Sequence, residues 1–168
     1  MTTLYATTMT TPVAPLTLMV DGDDLVAAGF TADAAALQAR LGPARRRADM
    51  RLSPELGPVT KALDAYFDGD LSALDGLPVV QDGTENQQRV WSALRDIPPG
   101  APVSYTELAR RVGNTRAVRA AGSACGRNHV APIVPCHRVV RSDGTLGGYG
   151  YGLPVKRWLL DHEHHHAP

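Results

Sequence analysis

The sequence predicts a mixed α/β (α+β) chain of two modules, a strand-first half over residues 1–83 and a helix-rich half over residues 84–168. A hairpin pattern near the N-terminus and helical periodicity with capping signals after residue 84 support this division. Charge supports it too, because residues 1–83 carry 6 Lys and Arg against 11 Asp and Glu, whereas residues 84–168 carry 11 against 6. The resulting charges of −5 and +5 make the basic half the candidate for binding a polyanion.

The N-terminal half begins with a predicted hairpin. Residues 16–20 form a strand candidate, Asp21-Gly22 is a strong turn signal, and residues 25–28 can return as the partner strand. Thr31 is expected to cap an Ala-rich helix that ends near Gly42.

A second helix is expected to open at Ser53-Pro54, with proline in the first turn, where its missing N–H costs nothing. Its apolar face combines Val59, Leu63, Tyr66 and Phe67. Residues 74–83, rich in Gly and Pro, are predicted to be the linker. Nothing before residue 84 assembles a nucleophile, a base and an orienting acid, so we expect this half to be a structural domain.

The C-terminal half contains a helix over residues 86–96 and then a helix-turn-helix pattern. Ser104 and Glu107 form an S-x-x-E capping box, Gly113-Asn114 makes the turn, and Thr115 can cap the second helix. That helix combines basic and small residues: Arg116, Arg119, Ala120, Ala121, Gly122 and Ala124. Small residues allow close approach either to a nucleic-acid groove or to a neighbouring helix, and the pattern alone leaves both readings open.

The last third of the chain holds the candidate nucleophile. Residues 132–135 are predicted to form a short strand that directly precedes Cys136. A Gly-rich loop spans residues 147–152, and Pro154 starts a final helix. The loop lacks the Gly-Lys-Ser/Thr ending of a phosphate loop. A free thiol has a pKa of about 8.5, so activation needs a neighbouring base or cation. His137 adjoins Cys136, and Glu163 is the candidate acid that orients the imidazole.

The alternatives for these residues are structural. Cys136 could be a buried core thiol and His137 a packed histidine, and Cys125, in an Ala- and Gly-rich helix, is interpreted as packing. Residues 164–166 are a run of histidines without the Cys or acidic partners of a zinc site, so no metal is expected.

Composition also indicates the cellular compartment in which the protein is expected. Two cysteines in 168 residues fit a reducing environment, and residues 1–11 lack the pattern of a signal peptide. No apolar stretch approaches the roughly 18 residues needed to cross a bilayer. We therefore expect a soluble, cytoplasmic protein without a membrane partner.

Residues 133–140, Ile-Val-Pro-Cys-His-Arg-Val-Val, resemble the active-site signature of the O6-alkylguanine-DNA alkyltransferase family nearly residue for residue. Further matches occur in the same order at Gln88-Arg89-Val90-Trp91, Ile97-Pro98, Ser104-Tyr105, Arg119-Ala120-Ala121-Gly122, Asn128, Gly147-Gly148-Tyr149-Gly150, Lys156, Leu159-Leu160 and Glu163. The resemblance implies an N-terminal ribonuclease-H-like domain of sheet and helices. It also implies a mostly helical C-terminal domain with a winged helix-turn-helix-like DNA-binding motif.

The resemblance implies direct reversal of DNA damage. The protein would flip an O6-alkylguanine out of the duplex and transfer the alkyl group irreversibly to Cys136, once per molecule and without a cofactor. His137 would draw the thiol proton through a water, Glu163 would orient His137, and Asn128 would hold the active-site turn.

The resemblance also implies a surface for DNA and substrate. Tyr105 would contact the target nucleotide, Arg119 would fill the gap left by the flipped base, and Tyr149 with its glycines would close on that base. The full expected set is Tyr105, Arg119, Ala120, Ala121, Gly122, Arg138, Val139, Gly147, Tyr149, Gly150 and Tyr151. The expected partner of this monomer is double-stranded DNA containing O6-alkylguanine, with O4-alkylthymine as a second candidate lesion.

One departure from the family pattern bears on specificity. Tyr151 stands where glycine is usual, so we predict that it narrows the pocket and disfavours bulky adducts. Other departures are Asn86, Pro99, His129 and Ala131. Two other functions compete with alkyl transfer: a non-catalytic protein that binds alkylated DNA, and a thiol hydrolase, for which the sequence offers no obvious oxyanion hole.

Overall fold

The computed structural model describes residues 2–168, and the chain divides into two compact units. Unit 1 comprises the chain up to Asp82 together with His129–Ile133, and unit 2 comprises Gly83–Asn128 with Val134–Pro168. A sheet forms the centre of unit 1 and helices dominate unit 2, which confirms the predicted fold class. Within residues 2–168, no helix is long and apolar enough to cross a membrane.

Unit 1 contains a four-stranded sheet in the order β3-β2-β1-β4. Its strands are β1 (Thr3–Met9), β2 (Leu16–Asp21), β3 (Asp24–Gly29) and β4 (Asp49–Leu52). The predicted hairpin is confirmed, because β2 and β3 pair antiparallel about a turn in which Gly22 adopts a φ of +62°. Strand β1 pairs antiparallel with β2 and parallel with β4, and neither β1 nor β4 was predicted.

The helices of unit 1 begin at residues other than those predicted. Helix α1 (Ala34–Gln38) is capped by Asp33, whose carboxylate accepts the Ala36 N–H, and α2 (Pro43–Arg46) is a separate short helix. Helix α3 (Pro58–Phe67) starts after Ser53-Pro54, because the Ser53 N–H is bonded to the Ala6 carbonyl at 2.8 Å and so continues the sheet. The apolar face of α3 is as predicted, with Val59, Leu63 and Tyr66 buried.

The segment predicted as a linker is largely part of unit 1. A short 3₁₀ turn at Leu71–Leu74 is followed by residues that pair with Leu25, whose N–H donates to the Pro78 carbonyl at 2.9 Å. The returning segment His129–Ile133 also pairs with β3, through bonds of 2.8 and 3.0 Å between Ala28 and the backbone of His129 and Ala131.

Unit 2 contains α4 (Glu85–Arg95), α5 (Tyr105–Arg111), α6 (Val118–Arg127) and α7 (Leu153–His166). Strands β5 (Val103–Ser104) and β6 (Val139–Val140) pair in parallel beside α5. Helix α4 is fixed by a reciprocal capping box between Thr84 and Gln87. The indole N–H of Trp91 donates to the Ala124 carbonyl at 2.9 Å, which ties α4 to α6.

Three local predictions for unit 2 need correction. The Ser104 hydroxyl accepts the Glu107 N–H, but the Glu107 carboxylate pairs with Arg110 and Arg111 instead of completing the capping box. Helix α6 starts at Val118 without a side-chain cap, so Thr115 does not cap it. Residues 132–135 form a turn rather than a strand, which redirects the chain just before Cys136.

Candidate active site

Cys136 starts a short 3₁₀ turn, Cys136–Arg138, that leads directly into β6. Its backbone N–H bonds the Val134 carbonyl at 2.9 Å, and the Arg138 N–H bonds the Pro135 carbonyl at 3.0 Å. Cys136 is half-buried while the residues on both sides of it are buried. The thiol is therefore held by a tight turn and remains the reachable group of this segment.

Asn128 follows the end of α6 and is buried beside the turn. Its side-chain amide donates to the Val134 carbonyl at 2.8 Å and to the Cys136 sulfur at 3.3 Å. An N–H directed at the sulfur stabilises its thiolate form, because a hydrogen bond to the charged form favours that form. Asn128 thus both fixes the turn and contacts the candidate nucleophile.

Behind the thiol lies a buried group of three polar side chains. The Nε2 atom of His137 is 2.8 Å from Oε2 of Glu163, and both residues are fully buried. Arg138 donates from Nε and Nη2 to the two oxygens of Glu163 at 2.9 and 3.0 Å, and from Nη1 to the Ile97 carbonyl at 2.7 Å. The structure therefore brings His137 and Glu163 together, as the sequence predicted, and adds Arg138 to them.

Burial and charge set the protonation of this group. Burial lowers the pKa of His137 more than the Glu163 charge raises it, so the imidazole is neutral. Burial raises the pKa of Glu163, but His137 and the Arg138 guanidinium outweigh it, and the pKa lies below its usual range. Among residues 2–168, the buried Nδ1 atom of His137 has no hydrogen-bond partner. The imidazole can therefore accept a proton at the edge opposite Glu163.

Tyr105, the first residue of α5, packs against two of the predicted glycines. A Cβ atom at Gly147, where φ is +72°, would lie 3.0 Å from the Tyr105 ring, so only glycine fits without displacement. A Cβ atom at Gly122 would lie 3.9 Å from the same ring. Burial raises the pKa of Tyr105 to about 12, with the charges of Cys125 and Cys136 acting in the same direction. The phenol is therefore a proton donor at neutral pH.

Lys156 on α7 is a residue to which the sequence analysis gave no role beyond a match to the family pattern. It is fully buried, and its ammonium donates to the carbonyls of Val139, Leu146 and Gly148 while lying 5.9 Å from the centre of the Tyr105 ring. Helical spacing was the available signal, because Lys156, Leu159 and Glu163 share the buried face of α7. Lys156 joins β6 to the Gly-rich loop.

The residues expected to contact DNA or substrate divide into two groups. Arg119, Ala120 and Gly150 are exposed, and the rings of Tyr149 and Tyr151 meet edge to face with their centres 5.7 Å apart. Three residues are instead buried: Ala121, Arg138 and Val139. The Ala121 and Val139 side chains pack inward and the Arg138 guanidinium is bonded to Glu163 and Ile97, so contact of these three residues with DNA stays a prediction.

Cys125 has the environment of a packing residue. It is buried on α6, and burial raises its pKa to about 12, so it is a poor nucleophile. Residues 2–168 contain no group of His, Cys, Asp or Glu side chains that could hold a metal ion.

Comparison with known proteins identifies two family matches that together span nearly the whole chain. The 6-O-methylguanine DNA methyltransferase, ribonuclease-like domain, matches residues 4–81, and the DNA binding domain of the same name matches residues 85–165.

Among curated proteins, the methylated-DNA–protein-cysteine methyltransferase of Haemophilus influenzae is 38% identical over 163 residues, covering 97% of this chain and 88% of that protein. The protein of the same name from Mycobacterium tuberculosis is 39% identical over 168 residues, covering 98% and 95%. The crystal structure of the M. tuberculosis O6-methylguanine methyltransferase superposes with a TM-score of 0.79 at 36% identity, covering 98% of this chain and 95% of that one. The structure of the M. tuberculosis protein in complex with DNA gives 0.80, with the same identity and coverage.

Proposed function

The chain belongs to the 6-O-methylguanine DNA methyltransferase family, and on that premise we propose that it flips O6-alkylguanine out of duplex DNA and transfers the alkyl group irreversibly to Cys136. Repair of DNA by methyl transfer to a protein cysteine is the activity that its relatives carry in their names, and DNA is its partner. The observation that carries the proposal is the half-buried Cys136 thiol, contacted by Asn128 and backed by the buried pair His137 and Glu163.

The proposed transfer step gives each of these groups a role. The proton of the Cys136 thiol passes through a water molecule to Nδ1 of His137, and Glu163 stabilises the imidazolium that forms. The sulfur then attacks the alkyl carbon, the bond from that carbon to O6 breaks, and its electron pair stays on the purine. The protonated Tyr105 phenol donates a hydrogen bond to the departing purine, which finally takes up the proton that the thiol lost.

Access to the O6 atom requires base flipping, because that atom lies inside the base stack. Extrusion costs a few kcal/mol, and less for a damaged base that pairs poorly. Arg119 is exposed on α6 and can occupy the vacated space, which offsets part of this cost. Tyr149 and the glycines beside it would cover the flipped base.

The alkylated Cys136 that the reaction would produce determines how many times one protein molecule can react. A thioether does not hydrolyse under physiological conditions, so each molecule acts once and needs no cofactor. In this proposal residues 1–83 are a structural domain, residues 84–168 carry DNA binding and alkyl transfer, and the protein works as a cytoplasmic monomer.

The test is intact mass after incubation with excess duplex DNA that contains O6-methylguanine. We expect the wild type and Cys125→Ala to gain one methyl group each and Cys136→Ala to gain none. No gain by the wild type, with retained binding to the lesion, would identify a non-catalytic alkylated-DNA-binding protein. Release of more than one equivalent of product would identify a hydrolase. A duplex with O4-methylthymine, run in parallel, determines whether that lesion is also a substrate.

A further inference from the structure

The arrangement of Arg138 around Glu163 has a consequence for the proton on His137. We infer that Arg138 is a positioning residue that fixes the tautomer of His137, holding Glu163 as an ionised acceptor so that Nε2 carries the imidazole proton and Nδ1 is left to accept one. The kinetic consequence rests on the proposed alkyl transfer, whereas the tautomer itself is a property of the free protein.

The geometry of the two-bond contact between the Arg138 guanidinium and the Glu163 carboxylate, here called the fork, supports this role. Arg138 donates from Nε to Oε1 of Glu163 and from Nη2 to Oε2, two nearly parallel bonds of 2.9 and 3.0 Å that fix the plane of the carboxylate. The third bond, from Nη1 to the Ile97 carbonyl at 2.7 Å, anchors the guanidinium to the end of α4. A lysine could not reproduce this arrangement, because its three donors lie on one nitrogen and cannot meet both carboxylate oxygens in one plane while reaching the Ile97 carbonyl on the other side.

The hydrogen-bond inventory then decides where the imidazole proton lies. An ionised carboxylate only accepts hydrogen bonds, so the group that meets Oε2 of Glu163 from His137 must be an Nε2–H donor. A neutral imidazole with its proton on Nε2 has its lone pair on Nδ1, the buried atom that no residue from 2 to 168 contacts by a hydrogen bond. Without Arg138, the buried Glu163 carboxyl could retain a proton and donate it to His137, which would reverse the tautomer.

The charges that face His137 predict the direction of change when Arg138 is removed. Glu163 and Lys156 face it from α7, and Arg138 and Cys136 lie on its own turn. Glu163 raises the pKa of His137, whereas Arg138 and Lys156 lower it. Replacing Arg138 with an uncharged residue removes one cation near the imidazole and also removes the two bonds that compete with His137 for the Glu163 carboxylate. Both changes favour the imidazolium, which cannot accept the thiol proton.

The first measurement is the ¹⁵N chemical shifts of the His137 ring, which report directly which nitrogen carries a proton. We expect the proton on Nε2 in the wild type at pH 7.5, and a mixed or doubly protonated ring in Arg138→Met. Arg138→Lys retains the charge without the fork and should give an intermediate result. The matched control is Arg110→Met, because Arg110 makes a similar two-bond fork with Glu107 on the exposed surface of α5. A wild-type proton on Nδ1, or a Lys variant and a Met variant that both match the wild type, would overturn the inference.

The second measurement is the single-turnover rate with a free O6-alkylguanine base between pH 6 and pH 9, a substrate that avoids any effect on DNA binding. Replacing Arg138 removes a cation that lowers the pKa of His137, so the neutral fraction of the imidazole falls at the acid end of this range. We therefore expect Arg138→Met to be slower than the wild type at the acid end, up to about tenfold for each unit by which the pKa of His137 rises, with the difference closing toward pH 9. A uniform loss at every pH, with ¹⁵N shifts of the His137 ring that match the wild type, would indicate a merely structural role. Absence of transfer in the wild type would contradict the proposed function and leave the tautomer result standing.

Discussion

For single residues of the candidate site, the local sequence pattern indicates the chemistry of a side chain but not the partners that it contacts in the fold. Cys136, His137 and Glu163 were candidates for nucleophile, base and acid from the sequence, but their spacing left packing roles open, and the resemblance to a known family favoured the catalytic roles. The role of Arg138 was not identifiable, because an arginine beside a nucleophile in a basic half resembles a phosphate contact. Its actual partners, Glu163 and Ile97, lie 25 and 41 residues away, and only the folded chain brings them together.

Lys156 should control the order of the Gly-rich loop. Methionine at this position has a similar length but no donor, so Lys156→Met leaves three carbonyls without their ammonium. The bond to the Val139 carbonyl is buried, and an acceptor left unsatisfied there costs about 1–3 kcal/mol. We expect faster amide hydrogen exchange over residues 145–150 and a lower thermal midpoint. The exposed neighbour variant Arg157→Met is the control, and unchanged exchange in the loop would contradict the assignment.

Tyr151 should limit the size of the transferred group. Its ring packs edge-on against Tyr149 in the loop that is proposed to cover the flipped base. We expect Tyr151→Gly to raise the rate with benzyl adducts relative to methyl adducts, with the methyl rate little changed, measured as single-turnover rates on the two free bases. Equal benzyl and methyl rates in the wild type, unaltered by the substitution, would refute this prediction.

At the level of secondary structure, the sequence predicted which helices exist better than where they begin. Helix α3 and helix α6 both start later than expected, because Ser53 continues the sheet and α6 has no side-chain cap. Strand β4 was not predicted, since it lies at the sheet edge and its residues are mostly exposed, which removes the alternating pattern. These boundaries depend on tertiary pairing that local patterns do not encode.

Helix α6 presents one face to solvent and one to the core of unit 2. Arg119 and Ala120 are exposed while Ala121, Ala124 and Cys125 are buried, so the buried small residues allow close packing within unit 2. Arg119→Ala should reduce repair in duplex DNA by tenfold or more, about 1.4 kcal/mol, because unstacking is then uncompensated. Reaction with a free O6-alkylguanine base should stay near the wild-type rate, and an equal loss on both substrates would argue against base flipping by Arg119.

At the scale of the whole molecule, the buried active-site charges should make unit 2 sensitive to acid. His137 has a lowered pKa when folded, so below its ordinary value of 6.5 the unfolded chain binds a proton that the folded chain does not. Stability is therefore constant above pH 6.5 for this group and falls by about 1.4 kcal/mol for each pH unit below it. Glu163, whose pKa is also lowered, adds a further loss below its ordinary value of 4.5.

Tryptophan fluorescence offers a selective measurement of this effect. Both tryptophans of the chain, Trp91 and Trp158, belong to unit 2, so urea unfolding followed at this signal reports on that unit. We expect the free energy of unfolding to fall between pH 7.5 and pH 5.5 in the wild type, and to fall less in His137→Gln. An identical pH dependence in the two proteins would assign the acid sensitivity to other groups.

The path of the chain through unit 1 also determines where this protein can be divided. The stretch His129–Ile133 lies between the two segments of unit 2, yet its backbone pairs with Ala28 of β3, and Cys136 follows only three residues later. A gene fragment starting at residue 83 would therefore encode the nucleophile together with a piece of sheet that has lost its neighbouring strand. The unit boundary falls between Asp82 and Gly83, and we expect residues 129–131 of the second fragment to complete their sheet pairing only when the first fragment is present. If the proposed alkyl transfer holds, labelling of a two-fragment version by an alkylguanine should require both fragments, so the label would report their assembly.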